Sequence, residues 1–170
     1  FLISLFPITD PDSLDYHMSV PKMSLQENTL MITDYWLHSH LFGYGEVLIL
    51  IGQNIAAFNV SQITQFFGLL MICSLIINYK NDKIDLKQRV FIIICILVIP
   101  ANLFLIFSSK PQLFSICSNF VALFLAILIL PKIKEKKQFF ILFFLIALLS
   151  LSSTQFKYSF YLSSGIIISI

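Results

Sequence analysis

The sequence predicts an all-α fold: a polytopic bundle of transmembrane helices whose first extracytoplasmic loop contains helices lying along the membrane interface. Three observations predict it. Hydrophobic residues make up 58% of the 170 residues and charged residues only 12%, against about 45–50% and about 25% in soluble domains. The mean hydropathy is +0.88. Uncharged runs recur along the chain, each close to the length that crosses a hydrocarbon core of about 30 Å.

The same composition excludes other classes of protein. A net charge of +2 without a basic stripe gives no phosphate-binding surface, so nucleic acid is excluded as a partner. The lipid bilayer is the expected partner instead. The chain begins and ends inside apolar runs, so we expect it to be a piece of a longer polytopic protein.

The uncharged runs divide the chain into three parts. Residues 1–6 are expected to be the end of a first span, and residues 7–59 the extracytoplasmic loop that follows. Residues 60–170 are expected to form the remaining spans, at residues 60–79, 90–108, 113–130, 139–155 and 158–170. Pro100 is expected to kink one of them, and Asn102 and Asn119 to form hydrogen bonds between helices.

The distribution of basic residues predicts the orientation. Eight of the 11 lysines and arginines fall at residues 80–89 and 132–137, which the positive-inside rule places in the cytoplasm. Because successive spans alternate in direction, residues 7–59 and the turns at Lys110 and Lys157 are expected outside.

Val47–Phe58 is apolar enough to be mistaken for a span. If it crossed the membrane, the acidic segment before it would lie in the cytoplasm, and Gln53 and Asn54 would lie in lipid without an evident partner. We therefore expect this stretch to lie in the membrane interface.

Chemically informative residues are concentrated near the start of the chain. Six of the nine acids, all three histidines and the only Trp lie within the first 46 residues. Asp10 directly before Pro11 predicts an N-cap and a helix that begins at Pro11. On that helix Asp12 and Asp15 are three residues apart and share a face.

Acids at the start of such a helix have two interpretations. They either stabilise the positive end of the helix dipole, or provide a carboxylate that takes a proton from a hydroxyl or holds a divalent cation. Asp15 lies past the first turn, so the capping interpretation explains it less well than Asp12.

Other residues of this segment also have alternative interpretations. His17 is offset from the acidic face unless the helix bends near Pro21. Trp36 is placed either in an interfacial aromatic belt or against a sugar ring. His38 and His40 are interfacial histidines or, with Asp15, ligands of a divalent cation. Apart from this possible cation, the sequence does not identify a cofactor. Glu46 is interpreted either as a helix-dipole partner or as a site residue.

Residues 10–17 read Asp-Pro-Asp-Ser-Leu-Asp-Tyr-His and follow directly on the end of a span. With the Trp36–Glu46 segment and the row of spans, this pattern resembles the N-terminal third of GT-C type glycosyltransferases. That superfamily includes the dolichyl-phosphate-mannose–protein mannosyltransferases and the bacterial aminoarabinose transferases. The resemblance implies a multi-pass protein of a bacterial inner (plasma) membrane.

The resemblance also implies an activity. Such an enzyme moves a sugar from a polyprenyl-phosphate-linked donor to a hydroxyl of a glycan or lipid acceptor at the outer membrane face. Asp15, or Asp12, would be the general base, and this piece alone would be inactive. The residues expected to bind substrate are His17, Trp36, His38 and Glu46. Two alternatives stay open: a transporter or flippase of lipid-linked glycans, and a polytopic protein without catalysis.

Overall fold

A computed structural model of the chain describes residues 1–29, 39–40, 43–79, 84–156 and 158–169. These residues are largely helical, and none of them lies in a β-strand, which confirms the all-α class. Their α-helices are α1 (Ser19–Glu27), α2 (Tyr44–Asn54), α3 (Val60–Asn78), α4 (Leu86–Val98), α5 (Pro100–Phe107), α6 (Gln112–Phe124), α7 (Lys136–Phe156) and α8 (Tyr161–Ser169).

The helix before α1 begins where the sequence predicts it. After a 3-10 turn at Leu2–Leu5, the chain is extended at Phe6 and becomes helical at Pro11. Asp10 Oδ2 accepts a hydrogen bond from the backbone N–H of Ser13 at 3.0 Å, so the predicted cap is confirmed. Ser13–Met18 then forms a π-helical segment that leads into α1.

α2 is a short helix that turns sharply into α3. Its 11 residues reach about half of the 30 Å or so that a span must cross. At its end the N–H of Ala57 donates to Gly52 O at 2.7 Å. A Cβ on Gly52 would lie 2.8 Å from Ala57 O, so this turn requires glycine. The interfacial position of Val47–Phe58 stays a prediction.

The sequence offered Gln53 no evident partner if this stretch crossed the lipid, and the structure gives its amide a partner outside α2. Its Nε2 donates to the carbonyl oxygen of Met18 at 3.0 Å. The packing of α2 against the preceding helices places the Met18 carbonyl beside this side chain. This bond joins α2 to the end of the π-helical segment.

Three helical stretches are long and apolar enough to cross a membrane: Val60–Asn78, Gln112–Lys132 and Lys136–Gln155. They match three of the predicted spans closely. The second stretch consists of α6 and its continuation through a π turn at Leu125–Ile129 and a 3-10 turn at Leu130–Lys132. These stretches are consistent with a membrane protein.

The span predicted at residues 90–108 is a bent pair of helices. α4 and α5 meet at an angle of 57° where Pro100, which cannot donate a backbone N–H, interrupts the hydrogen bonding. The predicted kink is therefore confirmed. Asn102 Nδ2 donates to Ile96 O at 2.8 Å, so this side chain bridges the bend rather than joining separate spans.

Both apolar and polar side chains are buried where the described helices pack together, and many further apolar side chains face outward. Fully buried side chains include more polar than apolar residues, whereas α4 and α7 expose rows of Phe, Ile and Leu. α6 lies between α3 and α7, and Asn119 on it donates to Ser163 Oγ at 3.0 Å. The predicted role of Asn119 between helices is confirmed.

Candidate functional site at the polar end of the bundle

The acidic segment and the turn between α5 and α6 lie at the same end of the bundle. Lys110 Nζ is 2.9 Å from Asp12 Oδ2 and 3.6 Å from Asp10 Oδ2. The same ammonium lies 5.3 Å from the ring centroid of Phe104. We call this region, from Asp10 to His17 together with Glu46 and Lys110, the polar end.

A layer of amides from the first turns of α3 supports the polar end. Gln62 Nε2 donates to Phe6 O and to Phe107 O, both at 3.0 Å. Gln65 donates to Lys110 O and accepts from the N–H of Phe114 at 2.8 Å. These two buried glutamines therefore fix the turn that carries Lys110.

The π-helical segment is attached to the same turn. Ser13 Oγ accepts from the backbone N–H of Ser109 at 3.0 Å and donates to Asp10 Oδ2 at 2.5 Å. Two elements almost a hundred residues apart in sequence are thus held together by one hydroxyl. The position of the acids relative to the bundle is consequently well defined.

His17 and Glu46 form a buried pair at the centre of the polar end. His17 Nδ1 lies 2.6 Å from Glu46 Oε1, and the side chains are 3% and 5% exposed. Glu46 Oε2 accepts from the N–H of Gly43 at 2.8 Å, so this carboxylate pairs a backbone N–H at the start of α2. Glu46 is therefore both the helix-dipole partner that the sequence predicted and the partner of His17.

The π-helical segment accounts for the position of His17. A π turn contains more residues than an α turn, because each N–H bonds the carbonyl five residues back. Residues after it are rotated about the helix axis relative to an uninterrupted α-helix. His17 lies within this segment, and its side chain faces Glu46 of α2.

Tyr16 covers the pair from one side. Its ring centroid is 3.9 Å from that of His17, with the planes tilted by 34°. Burial raises the pKa of the Tyr16 hydroxyl above its ordinary value of 10.0, and the charges of Glu46 and of the aspartates on its own helix raise it further. Tyr16 is therefore neutral at physiological pH.

The other predicted site residues that the structure describes are more exposed than His17 and Glu46. Asp15 is exposed, and the side chain of Asp12 is 68% exposed beside Lys110. His40 is also exposed. Trp36 and His38 lie outside the described residues, so their predicted roles stay predictions.

The described residues contain no group of three His, Cys, Asp or Glu side chains placed to hold a metal ion. Asp15 and His40 are thus not brought together there with a third ligand, and the predicted cation site involving His38 stays a prediction.

Sequence reasoning missed Lys110 and the two glutamines. A signal for Lys110 existed, since the alternation of spans already placed its turn on the same side as the acidic loop. Gln62 and Gln65 stand three residues apart at the start of an otherwise apolar run, a spacing that places both on one face.

A groove of about 580 Å³ opens beside the polar end, between α1 with the π-helical segment before it and the C-terminal end of α2. Leu14, Met18, Leu25 and Phe58 give it an apolar floor, and Lys22 stands among its polar lining residues. Such a groove accommodates an apolar chain next to a cation.

The whole chain, residues 1–170, matches the family model described as the DUF1420 N-terminal domain. The chain belongs to the DUF1420 family. No curated protein and no solved structure matches it. The polar end described above is thus a feature of a DUF1420 N-terminal domain.

Proposed function

We propose that this domain is the N-terminal part of a polytopic membrane glycosyltransferase that uses a polyprenyl-phosphate-linked sugar as donor and a hydroxyl as acceptor. The observation that carries the proposal is the convergence of carboxylates, an imidazole and a lysine at one end of an apolar bundle. In this proposal residues 7–59 face the extracytoplasmic side of a bacterial inner membrane, where the acceptor is available.

The chemistry of the polar end supports a transfer to a hydroxyl. A hydroxyl is a poor nucleophile, and a positioned base that takes its proton in the transition state contributes about 10²–10⁴ in rate. The polar end offers such bases in Asp12, Asp15 and His17. The sequence assigned the role to Asp15, with Asp12 as the alternative.

The groove beside the polar end supports a lipid-linked donor. An isoprenoid chain is apolar throughout and is followed by a phosphate. The apolar floor of the groove suits the chain, and Lys22 among its polar lining residues suits the phosphate as a point charge. The sugar of such a donor would extend toward the acids.

The alternative of a transporter predicts an open polar path through the spans. Asn119, Ser153 and Ser164 lie inside the described helices, but they form hydrogen bonds with one another: Ser164 Oγ is 3.2 Å from Asn119 Oδ1 and 3.1 Å from Ser153 Oγ. These side chains therefore hold α6, α7 and α8 in contact and do not line an open path between them. The transferase is therefore the better-supported function.

The test measures sugar transfer by purified full-length protein in lipid nanodiscs. Radiolabelled polyprenyl-phosphate hexoses serve as donors and a glycolipid extract as acceptor. We expect transfer by the wild type and its loss in the triple variant Asp12→Asn, Asp15→Asn, His17→Asn. Asp85→Asn is the matched control, because Asp85 is an N-cap outside the polar end and Asn caps about as well. Absence of transfer by the wild type with every donor would refute the proposal.

A further inference from the structure

His17 uses only one of its two ring nitrogens within the described part of the chain. The residue is 2% exposed. Nδ1 lies 2.6 Å from Glu46 Oε1, whereas Nε2 is buried and has no hydrogen-bond partner among the described residues. A buried polar atom in this condition costs about 1–3 kcal/mol, so its presence calls for an explanation.

The environment of the ring determines which nitrogen carries the proton. An ionised carboxylate only accepts hydrogen bonds, and Glu46 Oε2 is held by the N–H of Gly43. Nδ1 is therefore the donor, and in the neutral ring the lone pair is on Nε2. The ring of Tyr16 stacked on the imidazole restricts its rotation.

A purely structural role does not require this arrangement. An asparagine at position 17 could donate to Glu46 and join the π-helical segment to α2 without leaving a basic nitrogen buried. A carboxylate behind an imidazole, whose second nitrogen has no partner among the described residues, is instead the arrangement that fixes the tautomer of a general base. The π-helical segment that turns His17 inward belongs to a class of local structure that is frequent at functional sites.

We propose that His17, rather than Asp15, is the residue that takes the proton from the acceptor hydroxyl, and that Glu46 is its positioning residue. This inference rests on the proposed function. The hydroxyl oxygen forms a bond to the anomeric carbon of the sugar while its proton passes to Nε2. The bond between that carbon and the phosphate oxygen breaks, and its electron pair leaves with the polyprenyl phosphate. The imidazolium then returns the proton to water.

Single substitutions in the full-length protein separate the candidates. His17→Asn keeps a donor toward Glu46 and removes the basic nitrogen, so we expect kcat to fall about 10²–10⁴-fold with KM little changed. Glu46→Gln keeps an oxygen for the N–H of Gly43 but turns an amide N–H toward Nδ1, which moves the proton to Nε2 and also lowers kcat. Asp85→Asn, an N-cap outside the polar end, should keep the wild-type kcat.

A second measurement does not depend on activity. ¹⁵N NMR of histidine-labelled protein reports the tautomer of each ring, and the signals that disappear in His17→Asn identify His17. We expect the proton on Nδ1 of His17 in the wild type and on Nε2 in Glu46→Gln. A merely structural contact between the two side chains predicts no loss of turnover in His17→Asn once thermal unfolding shows that variant to be folded.

The outcomes distinguish the two proposals. Transfer by the wild type with normal turnover in His17→Asn, or with the large loss in Asp15→Asn instead, overturns the role of His17 and leaves the transferase in place. A proton on Nε2 in the wild type overturns it as well. Absence of transfer by the wild type overturns the proposed function and, with it, the role of His17 in that reaction.

Discussion

At the scale of single residues, Asp10 shows how a local role and a tertiary role coincide. The Asp-Pro pair alone predicted an N-cap, and Asp10 Oδ2 does accept from both the N–H and the hydroxyl of Ser13. The contact with Lys110 at 3.6 Å was not predictable from local sequence, since nothing near Asp10 indicates which later turn will reach it.

This double role predicts different effects for two substitutions at Asp10. Asp10→Asn keeps the cap but loses the charge that faces Lys110, and these side chains are only 12% and 14% exposed, so we expect a cost of about 1–3 kcal/mol. Asp10→Ala also loses the cap, so we expect a further cost of about 0.5–2 kcal/mol. Thermal unfolding of the full-length protein in detergent measures both. Equal unfolding temperatures for Asp10→Asn and Asp10→Ala would show that the cap contributes nothing to stability.

Tyr16 gives a prediction about alkaline pH. Burial and the surrounding carboxylates raise the pKa of its hydroxyl above 10.0 in the folded state, so the folded protein holds this proton more tightly than the unfolded chain. The resulting stability is fully present below pH 10.0 and is lost as the pH rises through the folded-state pKa. Tyr16→Phe should remove the part of the decline in the free energy of unfolding at alkaline pH that comes from this hydroxyl.

The measurement is the difference in tyrosinate absorbance between the wild type and Tyr16→Phe during titration. We expect the difference to appear only above pH 10.0. A difference that already appears at lower pH would mean that the ring is neither buried nor near negative charge. The other tyrosines cancel in the comparison, so one substitution provides the control.

At the scale of elements, apolar runs predicted the helices and local signals predicted several of their ends. Asp10 before Pro11 marked one start, and Pro100 marked the bend between α4 and α5. The π-helical segment was not predictable, because its widened turn depends on distant partners: Ser13 bonds the backbone of Ser109, and His17 pairs with Glu46. Only tertiary contacts select it over an α-helix.

The contact between α3 and α6 predicts a requirement for glycine. A Cβ on Gly68 would lie 2.9 Å from Phe114 Cα and 3.3 Å from Cys117 Cβ, so the two backbones approach too closely for a side chain. We expect Gly68→Ala to destabilise the full-length protein by about 1–3 kcal/mol, as overpacking usually does. Thermal unfolding in detergent measures the effect.

Gly165 on α8 is the matched control. A Cβ there meets nothing within 4 Å, and alanine favours a helix over glycine by about 0.5–1 kcal/mol. Gly165→Ala should therefore leave the unfolding temperature unchanged or raise it. A similar loss of stability in both variants would mean that the contact between α3 and α6 is not what Gly68 provides.

At the scale of the whole molecule, the described residues bury many polar side chains beside an apolar core and expose many apolar ones. Serines, glutamines, His17 and Glu46 are buried, while phenylalanines of α7 are exposed. The composition predicted a bundle of membrane-spanning helices, but it did not predict which side chains lie in the interior of the bundle. A residue count does not distinguish the face of a helix that meets lipid from the face that meets another helix. The partners of Gln62 and Gln65 became evident only when α3 was placed against the turn after α5.

The contact between Lys110 and the acidic segment also bears on topology. It puts residues 10–12 and the turn at Lys110 at one end of the bundle, as the alternation of spans requires. Between them, α3 runs to the other end, and α4 with α5 returns from it. Which end faces the cytoplasm depends on the basic residues of the opposite loops, because cytoplasmic loops carry an excess of Lys and Arg.

The last prediction is therefore one of orientation. In full-length protein in which every cysteine, including those at positions 73, 95 and 117, is replaced by alanine, single cysteines are introduced as Glu27→Cys, Ile84→Cys and Glu135→Cys. A membrane-impermeant maleimide added to intact cells should label the first and should label the other two only after permeabilisation. The cysteine-free parent gives the background. The reverse pattern would invert the molecule and move the polar end to the cytoplasm, where the proposed acceptor is not found. Labelling of positions 27 and 84 from the same side would mean that α3 does not cross the membrane.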